Sequence, residues 1–152
     1  MTRPPPRVLA VSSSGGHWAQ LMLLRPALDG CDVTWACTQA GAGEPWGLAG
    51  VATIPDCNRN TPGALIRQAW LSWRLLRRSR AQAIVSTGAL PGLVFIVLGR
   101  LTGRRTVWVE SMANSEELSQ SGRWASRIAH ACFVQWEALE APGRTRFAGA
   151  VL

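Results

Sequence analysis

Three short segments of the chain combine residue types that bind phosphates and move protons. Residues 12–17 read SSSGGH, residues 86–91 read STGALP and residues 110–115 read ESMANS. Glycines permit tight turns that bring backbone N–H groups close to an anion. A histidine or a carboxylate can accept a proton from a hydroxyl group. Together these residue types indicate chemistry on a phosphate-bearing substrate with a hydroxyl to be activated.

The candidate roles differ along these segments. Gly15 and Gly16 precede a predicted helix, whose positive end favours an anion such as a diphosphate. His17 and Glu110 are the two candidate proton acceptors, and neither is preferred. The remaining candidate binding residues are small and polar: Ser14, Thr87, Gly88, Ser111 and Asn114.

Each candidate also has an ordinary structural interpretation. The first segment can be a simple strand-to-helix turn in which a serine caps the helix. His17 or Glu110 alone is more often a cap or a solvated side chain than a catalytic group. The functional hypothesis therefore depends on whether the three segments converge in space.

The pattern of apolar runs predicts a scaffold that would bring the segments together. Apolar, β-branched runs predict six strands, at residues 7–12, 32–37, 51–54, 83–86, 105–110 and 131–135. Helices are predicted at residues 17–28, 61–80, 91–102 and 117–130. Strands that alternate with helices indicate one α/β domain, residues 1–152, with a Rossmann-like parallel sheet and helices on both faces. The three segments follow strands of this sheet, so they should meet at its carboxyl edge.

Several classes of protein are disfavoured. The dinucleotide-binding pattern G-x-G-x-x-G is absent, no acidic residue follows the second predicted strand, and Walker A is excluded because the chain has no lysine. The four cysteines form no C-x-x-C pair, so we expect neither a zinc site nor a disulfide framework. No bound metal or cofactor is expected.

The charge is strongly positive, and every basic residue is an arginine. There are 16 basic and 9 acidic residues, which gives a net charge of +7. Such a chain suits phosphates or an anionic membrane surface, although a compositional bias would give the same count. The arginines do not follow a known nucleic-acid-binding motif, so nucleic acid is not an expected partner.

Two predicted helices raise the question of a membrane. In the helix at 61–80, a helical wheel places Ile66, Ala69, Trp70, Trp73 and Leu76 on one face. That face could cover the sheet or lie on an anionic bilayer. We expect Trp73 and Leu76 to cover the sheet, and the membrane-contact candidates are Arg67, Trp70, Arg74 and Arg78.

The helix at 91–102 has almost no polar face, so it should be buried in the core, in lipid or against another subunit. Its apolar run is much shorter than the roughly 20 residues that a bilayer span requires. We therefore expect no segment of this chain to cross a membrane.

Four segments together resemble one family of proteins. They are residues 13–17 (SSGGH), 86–89 (STGA), 106–111 (TVWVES) and 133–136 (FVQW). They are similar to the membrane-associated subunit of split UDP-sugar glycosyltransferases, the asparagine-linked-glycosylation protein fourteen family. Its bacterial relatives, the PssD-like and CpsF-like proteins, serve capsule and exopolysaccharide assembly. The resemblance extends over residues 7–151.

The resemblance implies a fold and separate binding roles for two subunits. Single-chain relatives consist of two Rossmann-like halves with the active site between them, and this chain resembles the N-terminal, acceptor-binding half of such a GT-B enzyme. A partner subunit would bind the UDP-sugar, so the complex would be a heterodimer that needs no cofactor. The acceptor would be a polyprenyl-diphosphate-linked saccharide at the cytoplasmic face of the membrane.

One feature departs from the eukaryotic relatives, which carry an N-terminal membrane anchor. Here the first predicted strand begins at residue 7, so attachment would have to come from the helices at 61–80 and 91–102 or from the partner. The alternative function is a non-catalytic basic adaptor that holds a partner at the membrane.

Overall fold

The computed structural model describes residues 4–57 and 62–151. Seven strands lie in these ranges: β1 (Arg7–Ser12), β2 (Asp32–Cys37), β3 (Ala52–Thr53), β4 (Ala83–Ser86), β5 (Arg105–Val109), β6 (Ala131–Val134) and β7 (Arg146–Phe147). The four α-helices are α1 (Gly16–Leu23), α2 (Pro62–Ser79), α3 (Ala89–Leu101) and α4 (Gln120–Ile128). The strands form one sheet in the order β3-β2-β1-β4-β5-β6-β7, and all neighbouring pairs are parallel.

The order of the strands reverses between β1 and β4. From β1 the chain proceeds outward through β2 and β3, then returns to β4 on the other side of β1. At such a switch point the loops after the two central strands diverge and leave a crevice at the carboxyl edge. The segments at residues 12–17 and 86–91 are these two loops, so the sheet brings them together as the sequence predicts.

Helices pack on both faces of the sheet, which confirms the predicted fold class. On one face, the buried side chains Leu9, Ile84 and Trp108 pack against Leu76 of α2 and Phe95 of α3. On the other face, α1 packs on β1 and β2, where Trp18 meets Trp35 edge to face with ring centroids 6.3 Å apart. The two faces alternate along β1, as expected for a strand buried on both sides.

Several element boundaries differ from the predictions. The predicted helix at 17–28 is α1 followed by a separate 3₁₀ turn, Arg25–Leu28, because Pro26 lacks the N–H that a continuous helix needs. The helix predicted at 117–130 is shorter, since Ser119 caps α4 by accepting a hydrogen bond from the Gly122 N–H at 2.9 Å. The strand predicted at 51–54 has only two residues. Strand β7 was not predicted, because two residues give no periodic signal.

The apolar face that the helical wheel gives for α2 is buried at Leu76 but exposed in the first half of the helix. Leu76 is fully buried, but Ile66 is 72% exposed and Trp70 is 56% exposed. The buried positions are Gln68, Ser72 and Leu76, which follow one another at intervals of four residues. Polar residues therefore occupy part of the buried stripe, and large apolar residues lie outside.

Helix α3 belongs to the core on one side only. Phe95 and Ile96 are buried, whereas Val97 and Leu101 are exposed. None of the helices within the described ranges has the length and apolarity that a bilayer crossing requires.

Candidate functional site

The loops after β1, β4 and β5 enclose a cleft of about 230 Å³ at the carboxyl edge of the sheet. The first turn of α1 contributes His17, and the start of α3 contributes Ala89. The opposite wall comes from the segment between β5 and α4. The lining residues are His17, Ala89, Ser111, Ala113, Asn114, Ser119, Gln120 and Ser121. Three predicted site residues, His17, Ser111 and Asn114, therefore lie around one cavity.

The ring of His17 is fixed by the loop after β4. Its Nδ1 lies 3.0 Å from the carbonyl oxygen of Thr87, and the Thr87 hydroxyl donates to the His17 carbonyl oxygen at 2.7 Å. Because a carbonyl oxygen only accepts hydrogen bonds, geometry assigns the proton of the neutral ring to Nδ1. Nε2 is then the ring nitrogen with a lone pair, so it can accept a proton.

Gly88 is necessary for this placement. A Cβ atom built on Gly88 would overlap Nδ1 of His17 and would lie 2.5 Å from its Cε1. Gly88 also has φ +142°, which side chains rarely adopt. The next residue, Ala89, has φ +62° although it is not a glycine. Backbone strain of this kind is commonly retained at functional sites.

The glycine-rich loop itself is open to solvent. Gly15 takes φ +71° and precedes the first residue of α1, and no side chain caps this helix, so the serine-cap interpretation is wrong. The Ser14 N–H instead donates to the Thr38 hydroxyl at 2.9 Å. Gly15 and Gly16 are exposed, so the free N–H groups of the first turn of α1 are accessible to a ligand.

Glu110 is placed differently from His17, because it is buried and does not line the cleft. Its Oε1 accepts hydrogen bonds from Asn114 Nδ2 at 2.6 Å and from the Ser119 N–H at 2.9 Å. Its Oε2 accepts from Trp108 Nε1 at 2.7 Å. A Cβ on Gly122 would overlap Oε2. The carboxylate thus ties the end of β5 to the segment that forms the opposite wall.

Two glutamines that the sequence analysis missed complete this wall. Gln20 of α1 donates through Nε2 to the Ser111 hydroxyl at 3.1 Å and accepts through Oε1 from the Met112 N–H at 3.2 Å. Gln135 donates through Nε2 to Gln20 Oε1 and to the Glu110 carbonyl oxygen, each at 2.9 Å. Gln20 lies three residues after His17, so one helix presents both. This spacing could have identified Gln20 from the sequence as a neighbour of His17.

The resemblance segment at 133–136 has a structural explanation in the same wall. Trp136 Nε1 donates to the Met112 carbonyl oxygen at 2.7 Å, while Gln135 makes the bonds just described. The end of β6 therefore holds the segment after β5 in place.

The cysteines are reduced, and those on strands are poor nucleophiles. Cys31, Cys37, Cys57 and Cys132 are unpaired. Burial, with a further contribution from the charge of Glu110, raises the pKa of Cys132 to about 12. Burial also raises the pKa of Cys37 and Cys57. Residues 4–57 and 62–151 bring no three His, Cys, Asp or Glu side chains together as a metal site would need.

The membrane-contact candidates lie outside the cleft, on α2. Arg67, Trp70, Arg74 and Arg78 are all exposed. The Arg74 guanidinium stacks over Trp70, 4.6 Å from the ring centroid. These four residues form a basic, tryptophan-bearing surface on α2, which packs on the face of the sheet opposite α1.

Comparison with known proteins gives one similar sequence and several similar structures. No protein-family profile matches the chain. It is 28% identical to the UDP-N-acetylglucosamine transferase subunit ALG14 of Eremothecium gossypii, over 98% of this chain and 81% of that protein.

The similar structures share the fold. Acinetobacter baumannii MurG superposes with a TM-score of 0.75 at 14% identity, over 93% of this chain and 45% of MurG. The UDP-N-acetylglucosamine 2-epimerase of Rickettsia bellii gives 0.73 at 12% identity, over 97% and 45%. The chain thus spans less than half the length of either structure. The resemblance to the asparagine-linked-glycosylation protein fourteen family is confirmed, and the chain has the fold of the N-terminal domain of a GT-B glycosyltransferase.

Proposed function

We propose that this chain is the acceptor-binding subunit of a two-component glycosyltransferase. The complex would transfer a sugar from a UDP-sugar to a polyprenyl-diphosphate-linked saccharide, in lipid-linked oligosaccharide, capsule or exopolysaccharide synthesis. The observation that carries the proposal is the His17 ring at the switch-point cleft, held through Nδ1 so that Nε2 can accept a proton. The similarity to a named UDP-N-acetylglucosamine transferase subunit supports the reaction class.

His17 is the residue to which we assign the proton transfer. The acceptor hydroxyl gives its proton to Nε2 while its oxygen forms a bond to the anomeric carbon of the sugar. The bond from that carbon to the UDP oxygen breaks, and UDP leaves with the electron pair. Proton acceptance by a positioned side chain typically contributes 10²- to 10⁴-fold to a rate.

Glu110 is better suited to positioning than to proton transfer. It is 1% exposed, and three hydrogen-bond donors already occupy its two oxygens. By holding Asn114 and Ser119, the residue that caps α4, it fixes the wall that faces His17. We therefore assign Asn114 and Ser111 to the acceptor saccharide and Glu110 to their support.

The acceptor's diphosphate is assigned to the glycine-rich loop. The exposed N–H groups that begin α1 at Gly15 and Gly16 provide hydrogen bonds, and the helix dipole adds positive potential there. Ser14 lies beside them, and Thr87 and Gly88 form the adjacent loop. Backbone groups of this kind bind a diphosphate without a metal ion.

The UDP-sugar is assigned to a partner subunit. GT-B structures such as MurG are about twice as long as this chain, which matches only 45% of MurG. The chain's relative in Eremothecium gossypii is itself named a subunit. A heterodimer in which the partner closes the cleft opposite His17 would rebuild the complete site.

Attachment to the cytoplasmic face of the membrane is assigned to α2. Its exposed Ile66 and Trp70 are apolar or amphipathic, and Arg67, Arg74 and Arg78 add positive charge beside them. Tryptophan and arginine in this arrangement favour an anionic interface.

The test is sugar transfer by tagged variants that replace the chain in its own cells. Membrane extracts supplied with labelled UDP-N-acetylglucosamine and other UDP-sugars would be assayed for label in polyprenyl-diphosphate-linked products. We expect His17→Ala to reduce transfer at least 100-fold while the partner still co-purifies. Normal transfer by His17→Ala would remove the catalytic assignment and leave the non-catalytic adaptor as the function.

A further inference from the structure

A second concave site lies beside α2, away from the cleft. It is a groove of about 250 Å³ between the edge strand β3 and the second half of α2. We call it the edge groove. Its lining residues are Ala52, Thr53, Ile54, Pro55, Leu71, Arg74, Leu75 and Arg78.

The edge groove has an apolar floor and a positively charged side. Ile54 is buried, and Leu71 and Leu75 are partly buried. Arg74 and Arg78 are exposed and are one helical turn apart, so their side chains lie on the same side of α2. An apolar floor beside two guanidinium groups suits a ligand in which a phosphate is joined to a hydrocarbon chain.

Neither arginine forms a salt bridge within residues 4–57 and 62–151. The salt bridge in these ranges joins Arg123 and Glu117, and neither of these residues lies in α2. Residues 62–79 include no aspartate or glutamate. Asp56 follows the lining residue Pro55, accepts a hydrogen bond from the Cys57 N–H at 2.9 Å and forms no salt bridge with Arg74 or Arg78. The guanidinium groups of the edge groove can therefore bind an external anion.

The surroundings of the groove identify the source of that anion. Ile66, Trp70, Arg74 and Arg78 follow one another at intervals of four residues, and so form one stripe along α2. Its first two members are the exposed apolar residues of the helix, and Arg74 stacks on Trp70. A phosphate bound by the last two members would have its hydrocarbon chain beside the first two, as a bilayer lipid does.

We infer that the edge groove binds the phosphate of an anionic membrane lipid. The inference deepens the proposed membrane role and rests on it, but it does not depend on sugar transfer. Arg74 and Arg78 contact the phosphate, and the floor at Leu71 and Leu75 accommodates the first part of the chain. The site would select phosphate headgroups over negative charge in general.

The experiment measures binding of the purified chain to vesicles by flotation. Phosphatidylcholine vesicles would carry either phosphatidic acid or an amount of oleate that gives the same surface charge. We expect tighter binding to phosphatidic acid. An arginine near an anionic surface contributes about 1 kcal/mol, so the double variant Arg74→Gln/Arg78→Gln should bind phosphatidic acid vesicles about 30-fold more weakly.

The matched control removes two arginines from the opposite edge of the sheet. Arg144 and Arg146 are exposed at and before β7, and Arg144→Gln/Arg146→Gln makes the same change in net charge. This control should change binding by no more than about twofold, since charges beyond a Debye length are screened. Equal losses in both double variants, or equal binding to oleate and phosphatidic acid, would overturn the inference.

A competition measurement separates a lipid site from a free-phosphate site. Inorganic phosphate at the concentration of the lipid phosphate should not release the protein, and release would show a free-phosphate site instead of a lipid site. The assay contains no partner, sugar donor or acceptor, so its result is separate from that of the transfer assay with His17→Ala.

Discussion

The placement of the His17 ring can be tested without changing His17, by the substitution Gly88→Ala. The new methyl group would lie 2.5 Å from Cε1 of His17, whereas ordinary contacts at such a position begin at 3.4 Å. The ring must therefore move by about 1 Å, and its hydrogen bond to the Thr87 carbonyl oxygen must break or lengthen. A misplacement of about 1 Å can cost roughly 100-fold in rate.

Gly88→Ala should also cost stability, because φ +142° is strained for alanine. Such strain is worth about 1–3 kcal/mol, and each kcal/mol lowers the melting temperature of a chain of this size by about 2–4 °C. A matched control is Gly103→Ala, since Gly103 has φ +72° but no atom within 4 Å of the built Cβ. It should be destabilised by backbone strain alone and should retain normal transfer.

The assays are thermal unfolding of the purified chain and sugar transfer with the partner present. The double variant His17→Ala/Gly88→Ala gives the decisive comparison. If Gly88 acts through the ring, the double variant should transfer sugar within about twofold of His17→Ala alone. Losses that multiply in the double variant, or normal transfer by Gly88→Ala, would refute the argument.

Three other predictions concern the wall, the core and the membrane face. Gly122→Ala should lower the free energy of unfolding in urea by about 3 kcal/mol or more, because its methyl group displaces the buried Glu110 carboxylate from its hydrogen-bond donors. Gly63 on α2 has open space around its built Cβ, so the control Gly63→Ala should change the free energy of unfolding by about 1 kcal/mol or less. Similar values for the two variants would contradict this role of Glu110. The free energy of unfolding should fall from pH 9 towards pH 12, and Cys132 should contribute about 1.4 kcal/mol per pH unit, because its folded-state pKa of about 12 keeps it protonated where the unfolded chain has lost the proton. Cys37 and Cys57, whose pKa burial also raises, add to this fall. Cys132→Ala should reduce the slope in pH-dependent urea unfolding, and an unchanged slope would show that other groups cause it. Trp70→Ala should weaken vesicle binding about fivefold, because part of a large side chain no longer enters the membrane interface. Trp46 is an exposed tryptophan outside α2, so Trp46→Ala is the control and should not weaken vesicle binding comparably.

The strands at the centre of the sheet were predictable because their signal is local. The bounds of β1, β2 and β4 agree with the predicted 7–12, 32–37 and 83–86. A strand covered on both faces is rich in apolar and β-branched residues, so its limits are visible in the sequence. The predicted helix at 61–80 likewise agrees closely with α2, Pro62–Ser79, because proline at a first helical position marks the beginning.

Exposure on α2 was not predictable from the same pattern. A helical wheel shows which residues share a side but not which side meets the sheet. The structure turns Gln68, Ser72 and Leu76 inward and leaves Ile66 and Trp70 outside. The side of α2 that is buried depends on where α3 and the edge strand β3 lie. Their positions are set by contacts between segments that are distant in the sequence.

The segment at residues 12–17 shows most clearly which features follow from the sequence and which depend on the tertiary structure. By itself, the sequence determined that a glycine-rich turn joins a buried strand to a helix and that His17 follows it, since strand, turn and helix propensities are local. It also determined which small polar residues end the neighbouring strands. The family resemblance could be stated from the same segments.

Only the tertiary structure distinguished the surroundings of the two candidate proton acceptors. The carbonyl oxygen that orients His17 belongs to Thr87, and the donors that enclose Glu110 come from Trp108, Asn114 and Ser119. The same sequence pattern allows an exposed or a buried carboxylate at the end of β5. Burial and hydrogen-bond direction depend on partners up to 70 residues away along the chain, which are brought together only when the parallel sheet has formed.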